Sequence, residues 1–275
     1  MNERVLTAKE IRAFQRQIYR YYKFHRRDFP WRRTTDPYSI LVSEVMLQQT
    51  QVTRVQDKYL EFIKVFPDFE TLARASQKEV LLVWQGLGYN RRALSLKKIA
   101  EKVVSQYGGE LPRSVEGLSS FSGIGKTTAG AILAFAFNMQ SVFIETNIRR
   151  VFIHEFFGGM EKVSDVEILP LVEATIDQKN PREWYWALMD FGSMLKREFE
   201  NPNRKSAHYT KQPAFEGSNR RIRGLVIKKL LHDGNLSAKA LSKATGVSHD
   251  HLQRILQDLT DEGFISRKGS LFMIV

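Results

Sequence analysis

The chain has 275 residues, enough for two domains, and its 42 Lys/Arg against 30 Asp/Glu leave a net charge of +12. Such a balance points to an anionic partner; a nucleic acid, a ribosomal site or a membrane surface would each fit. The absence of cysteine excludes disulfides and any cysteine-held zinc or iron–sulfur centre. The N-terminus has no apolar secretory core, so a cytoplasmic protein is expected.

In chain order, Thr7 and Glu10 make a capping-box pair that predicts a helix from Ala8 to about Phe29. Pro30-Trp31-Arg32-Arg33 breaks it. Asp36 caps a second helix, which Pro37 can open. Ile40, Leu41, Val45 and Leu47 recur there at core spacing, with Glu44 among them. Gln48-Gln49-Thr50 leads into a helix ending near Pro67. Ser76 with Glu79 is a second capping box, for a helix stopping at Gly86-Leu87-Gly88. Tyr89-Asn90-Arg91-Arg92 opens the next, which ends at Gly108-Gly109.

The stretch Leu118–Val151 is the most informative. Gly123-Ile124-Gly125 is followed by Lys126, Thr127, Thr128 and a run of helix formers, so a tight turn feeds a helix N-terminus. Backbone N–H groups there suit an anionic oxygen. A nucleotide P-loop would need a glycine at Ser120 and a preceding strand, and neither is present. A helix–hairpin–helix that grips a DNA phosphate fits both flanks; a glycine turn between two core helices is the plainer alternative. The longest uncharged window, Thr127–Ile144, is interrupted by Asn138 and Gln140, so a buried helix is expected rather than a membrane span. Asn180-Pro181 begins a helix reaching about Phe199.

Almost no strand periodicity precedes residue 200, so this region is predicted all-α. Residues 201–219 are polar and broken by Pro202, Pro213 and Gly217, which predicts a linker. Residues 196–229 hold ten Lys/Arg and three Glu, a local +7, and make a candidate DNA-facing strip. Beyond it, three short helices (220–232, 237–244, 250–262) and a hairpin around Lys268-Gly269 predict a winged helix over 220–275, which could meet DNA or a protein.

Phe29-Pro-Trp-Arg, Asp36-Pro-Tyr, Ser43-Glu-Val-Met-Leu-Gln-Gln-Thr-Gln-Val, Trp84-Gln-Gly-Leu-Gly-Tyr and the Gly-Ile-Gly turn together resemble the helix–hairpin–helix DNA glycosylases of the endonuclease III superfamily, over about residues 27–196. Within it the branch most resembled is the adenine glycosylases that act opposite oxidised guanine. The resemblance implies an all-α, two-domain fold over 1–200: a six-helix barrel at about 37–138, and a second helical domain of 1–36 plus 139–200. Double-stranded DNA is the implied partner, with no membrane, a monomer associated with the nucleoid, and no cofactor. The family's iron–sulfur cysteines are absent, and the winged helix replaces its oxidised-guanine-reading domain.

By the same resemblance Glu44 is the base-protonating acid. Burial among apolar neighbours would raise its pKa and keep a proton on it. Glu145 stands where the family carries an aspartate, an exchange that moves the carboxylate on the order of 1 Å. Thr127 stands where bifunctional relatives have a nucleophilic lysine, which implies a monofunctional enzyme. Gly123, Gly125, Lys126, Thr127 and Thr128 would hold phosphate. Trp31, Arg32, Gln48, Gln49, Tyr89, Asn90 and Trp186 would form the base pocket and wedge, although Asn90 cannot stack as the family's second tyrosine does. The expected activity is monofunctional excision of a flipped mispaired or damaged base in base excision repair, adenine first. Uracil or thymine opposite guanine is the alternative base, and a non-catalytic DNA-structure binder the alternative class.

Overall fold

The structure, a computed structural model, describes residues 5–210 and 215–275. Among these, helix dominates and the only sheet is small. Thr7 caps α1 (Ala8–His25), which buries Phe14, Ile18 and Tyr22. α1 stops short of the expected Phe29: the Arg27 N–H turns outward to Asp190 at 2.9 Å. A Pro30–Arg32 3-10 turn follows. Asp36 accepts from the Ser39 N–H at 2.9 Å and opens α2 (Pro37–Leu47). α2 is apolar nearly all round and buries Tyr38, Ile40, Leu41, Val42, Val45 and Met46, as an interior helix must.

Then come α3 (Val52–Val65), α4 (Phe69–Arg74), α5 (Gln77–Trp84) and α6 (Arg91–Gln106), followed by α7 (Val115–Ser119) and α8 (Lys126–Phe137). α9 (Thr146–Phe156), α10 (Asp165–Thr175) and α11 (Pro181–Glu198) complete this part. α4 and α10 lie outside the sequence expectation. α4 spans only six residues, and α10 carries Pro170, which reads as a breaker.

By contact the chain forms two units: Met1–Glu44 with Leu111–Lys211, and Val45–Glu110 with Gln212–Val275. The first is centred on edge-to-face aromatics, with Phe14 against Phe152, Phe156 and Trp184. Its α9 and α11 meet backbone to backbone at Gly192, where a Cβ would lie 2.4 Å from the Asn147 carbonyl oxygen. Part of the expected linker is folded here. Pro202–Lys205 is a 3-10 turn, Val163 bridges Ser206, and the buried Asn203 donates to the Thr146 carbonyl at 2.8 Å. Polar residues read as solvated in sequence are thus consumed by backbone groups of α9. Residues 211–214 of that stretch lie outside the described residues.

The second unit packs α3 to α6 about Phe62 and Trp84. It also holds α12 (Asn219–Asp233), β1 (Leu236–Ser237), α13 (Ala238–Thr245), α14 (His249–Asp261), β2 (Ile265–Lys268) and β3 (Leu271–Ile274). The antiparallel order is β1-β3-β2, with Ile265 opposite Ile274 and Leu236 opposite Phe272. β1 has two residues, too few for an alternation to be read. Residues 220–275, expected as a domain of their own, sit on the α5–α6 region. Gln77 donates to the Gly263 carbonyl at 2.9 Å, and Arg91 pairs with Glu262 at 2.7 Å.

Candidate active site

Glu44 occupies the middle of α2, half-buried between the buried Ser43 and Val45. Among the described residues no hydrogen bond reaches its carboxyl group. Desolvation therefore acts on it almost unopposed and pushes its pKa up to about 8; the neighbouring Glu145 charge adds to the rise, and Arg32 opposes it. A carboxyl in that range holds its proton at neutral pH and can give it up.

Glu145 is built differently. It is the N-cap of α9, and its Oε1 accepts from the Asn147 N–H at 2.8 Å and the Ile148 N–H at 3.0 Å. Its Oε2 accepts from the Asn147 side chain at 3.1 Å. Burial raises the pKa of this group above the ordinary glutamate value, and the helix amides, Arg150 and Arg149 offset only part of that rise. Three donors and a helix N-terminus all favour the anion. The two acids therefore differ in what opposes burial: three donors and a helix N-terminus at Glu145, no hydrogen bond at Glu44. The rotamer of Glu145 is fixed from behind: buried Arg150 donates to Asn147 Oδ1 and to the Gly192 carbonyl, both at 2.7 Å, and to Asn201 at 3.0 Å.

Arg32 is tied to buried Asp190 by two bonds, of 2.9 and 3.0 Å, and Arg27 binds the same carboxylate at 2.6 Å. The Arg32 guanidinium also lies 5.6 Å over the Trp186 ring, whose parallel neighbour at 5.9 Å is Phe135. Trp186 is half-buried in this stack, and Trp31 is buried against Phe29, with ring centroids 5.1 Å apart.

The hairpin has the expected form. α7 and α8 flank a turn in which Gly123 takes φ +88° and Gly125 is the N-cap of α8. No side chain caps α8, and Gly125, Lys126 and Thr127 are exposed, with Thr128 half-buried. A helix N-terminus without a side-chain cap leaves its amides to an outside acceptor.

Comparison with known proteins places the chain in a family. Residues 42–169 match the family described as HhH-GPD superfamily base excision DNA repair protein. The thymine/uracil-DNA glycosylase of Methanothermobacter thermautotrophicus is 31% identical over 69% of this chain and 87% of its own length. The chain belongs to the HhH-GPD superfamily. Adenine DNA glycosylases of Buchnera aphidicola (strain Bp) and Rattus norvegicus are 37% and 35% identical over 64% and 68% of this HhH-GPD chain. The chain spans only 50% and 38% of their respective lengths. Among solved structures, a thermostable thymine-DNA glycosylase matches with TM-score 0.63 and 29% identity, covering 72% of this chain and 92% of that one. A non-covalent endonuclease III–DNA complex, at 18% identity and TM-score 0.58, shares the fold over 68% and 86% of the two chains.

In the second unit of this HhH-GPD chain, the loops expected to read the base carry backbone strain. Gln49 (φ +53°) and Tyr89 (φ +48°) are two of three non-glycine residues with positive φ among those described. Such strain persists only where surrounding contacts impose it. Here the imposing group is Arg92. Its guanidinium donates to the carbonyls of Val45 (2.9 Å), Met46 (2.8 Å), Gln48 (2.6 Å) and Gly88 (3.1 Å), and to Thr50 Oγ1 (2.9 Å). It thereby ends α2, satisfies that helix's last carbonyls and ties the Gln48-Gln49 loop to the Tyr89-Asn90 loop. Burial lowers its pKa to about 10, so it stays charged.

Arg92, Asp190, Arg150, Asn147 and Gly192 were not singled out in the sequence. Arg92 reads there as one more basic helix residue, and Asp190 as one carboxylate on a mixed helix. Only Asn147 and Arg150, inside Thr-Asn-Ile-Arg-Arg, sat in a stretch already marked.

Proposed function

We propose that this chain is a monofunctional DNA N-glycosylase that needs no metal cofactor. It flips one base out of a duplex and hydrolyses its N-glycosidic bond. Glu44 donates its proton to a ring nitrogen of the base as the C1′–N bond breaks. The bonding electrons leave with the base, and positive charge spreads over C1′ and the ring oxygen of the sugar. Glu145, ionised, stabilises that cation. Water adds to C1′ and loses a proton, leaving an abasic site and the free base. The observation that carries the reading is the contrast between the two acids: desolvation without a hydrogen bond on Glu44, three donors and a helix N-terminus on Glu145. Thr127 at the α8 N-terminus has no amine to attack the sugar, so no covalent intermediate forms and the strand stays intact. Gly123, Gly125, Lys126, Thr127 and Thr128 hold a backbone phosphate; Gln48, Gln49, Tyr89 and Asn90 meet the bases, and Trp31, Arg32 and Trp186 wall the pocket.

Adenine is the first substrate in this reading, supported by relatives at 35–37% identity named adenine DNA glycosylases. Thymine or uracil is the second, favoured by the thymine/uracil-DNA glycosylase of which this chain spans 87%. A panel of duplexes with mismatched and lesion-bearing pairs, assayed for alkali-labile sites with wild type and Glu44→Gln, decides between them. Excision of one pair that disappears in the variant supports the proposal. Tight binding without cleavage of any duplex would overturn it, and strand breaks without alkali would overturn the monofunctional part.

A further inference from the structure

The second unit contains a groove of about 940 Å³ whose walls come from the strained loops on one side and the winged helix on the other. Arg54, Arg91, Arg92, Arg220, Arg223 and Lys228 line it, against a single acid, Glu262. Glu262 is used up between Arg91 at 2.7 Å and Arg223 at 2.5 Å. Arg220 is held between the rings of Tyr89 (5.1 Å) and Phe215 (5.3 Å) and donates to the Tyr89 hydroxyl. Lys228 is exposed and pairs with no acid among the described residues. The groove is thus a cation-rich channel continuous with Gln48, Gln49, Tyr89 and Asn90.

The second helix of a helix–turn–helix ordinarily enters the major groove. In this winged helix it is α14, which carries Asp250, Asp258 and Asp261 against Arg254 alone. α12 carries Arg220, Arg221, Arg223, Lys228 and Lys229 against Asp233. Duplex DNA presents one negative charge per about 1.7 Å of axis, so α14 is repelled where α12 is attracted.

We propose that the winged helix binds DNA through α12, not through α14. Arg220 and Lys228 contact the phosphodiester backbone of the strand that runs through the groove, beside the nucleotides the loops engage. This rests on the reading of the chain as a DNA glycosylase and extends its interface.

Because the chain has no cysteine, single-cysteine variants report contact cleanly. Full-length Lys228→Cys and Gln257→Cys would each be mixed with a duplex carrying an abasic-site analogue and thiol tethers on its phosphates. The expected result is a disulfide cross-link from position 228 and none from position 257 on α14. A cross-link at 257 with none at 228 would overturn the inference. In equilibrium binding, Arg220→Ala with Lys228→Ala should flatten the slope of log Kd against log salt by about two, as the loss of two phosphate contacts requires. An unchanged slope would overturn it as well. Excision is scored on the same wild-type preparation. Cross-linking at 228 without excision of any duplex supports this inference while sinking the catalytic reading; excision with no cross-link at 228 does the reverse.

Discussion

The middle of α2 and the N-terminus of α9 carry the same side chain in opposite settings. Glu44 stands on an apolar helix, where the helix's own amides are already bonded and desolvation is the dominant force. Glu145 stands at a helix start, where amides have no carbonyl partner within the helix and donate to its carboxylate instead. Position within a helix, rather than residue type, sets how far hydrogen bonds oppose burial at each acid. An acid–base pair can therefore be made from two glutamates, provided one is mid-helix and one is a cap.

The strongest way to break this comparison is to remove the proton. Glu44→Gln keeps the shape but has no acid to give, and single-turnover excision should fall by about 10²–10⁴-fold with duplex affinity retained. Moving the charge comes next. Glu145→Asp keeps an excellent N-cap, so urea unfolding should change by less than ~1 kcal/mol. The carboxylate retracts on the order of 1 Å, however, and excision should slow by up to about 10²-fold. Faster excision with aspartate would mean that the pocket is not fitted to the longer side chain.

The third test leaves both acids in place. Gly192→Ala drives a Cβ to 2.4 Å from the Asn147 carbonyl oxygen, so α9 must move away from α11 and carry Glu145 with it. Destabilisation of about 1–3 kcal/mol is expected in urea, with a lower kcat. Wild-type stability would show that the close approach is not maintained in solution.

The mildest effect is in pH. The folded chain raises Glu44 from its ordinary 4.5 to about 8, so between those values the folded state holds a proton that the unfolded chain has released. The stabilisation is complete below 4.5 and is lost as pH rises through 8. Glu44→Gln has no such loss. Its melting temperature should gain on wild type, by a few degrees, across that window and then run parallel. For activity, kcat/KM should fall above about pH 8 as Glu44 ionises. It should also fall on the acid side, at a pH above the ordinary glutamate value because burial raises Glu145 as well. Both limbs belong to the coupled pair. A flat profile would contradict the division of roles.

Helix starts were the most legible part of the fold, because caps are local: Thr7, Asp36, Ser76 and Asn180 lie where helices begin. Helix ends and short pieces were less so. The end of α1 is set by Arg27 reaching a carboxylate 163 residues away, which no window on Arg27 contains. The folding of residues 201–207 is likewise decided by α9, and β1 exists only because β3 lies beside it.

The sequence by itself determined the helical class and the glycine turn feeding α8, and its resemblance to a family marked Thr127, Glu44 and Glu145. The first two are matters of local periodicity and backbone permissiveness; the last rests on motif resemblance. Only the tertiary structure decided the burial and hydrogen bonding of the two acids, the clamp at Arg92, the anchoring of Arg32 by Asp190, and the basic face that α12 turns to its groove. These depend on desolvation and on charges brought together from distant parts of the chain, and both quantities exist only once the chain has packed.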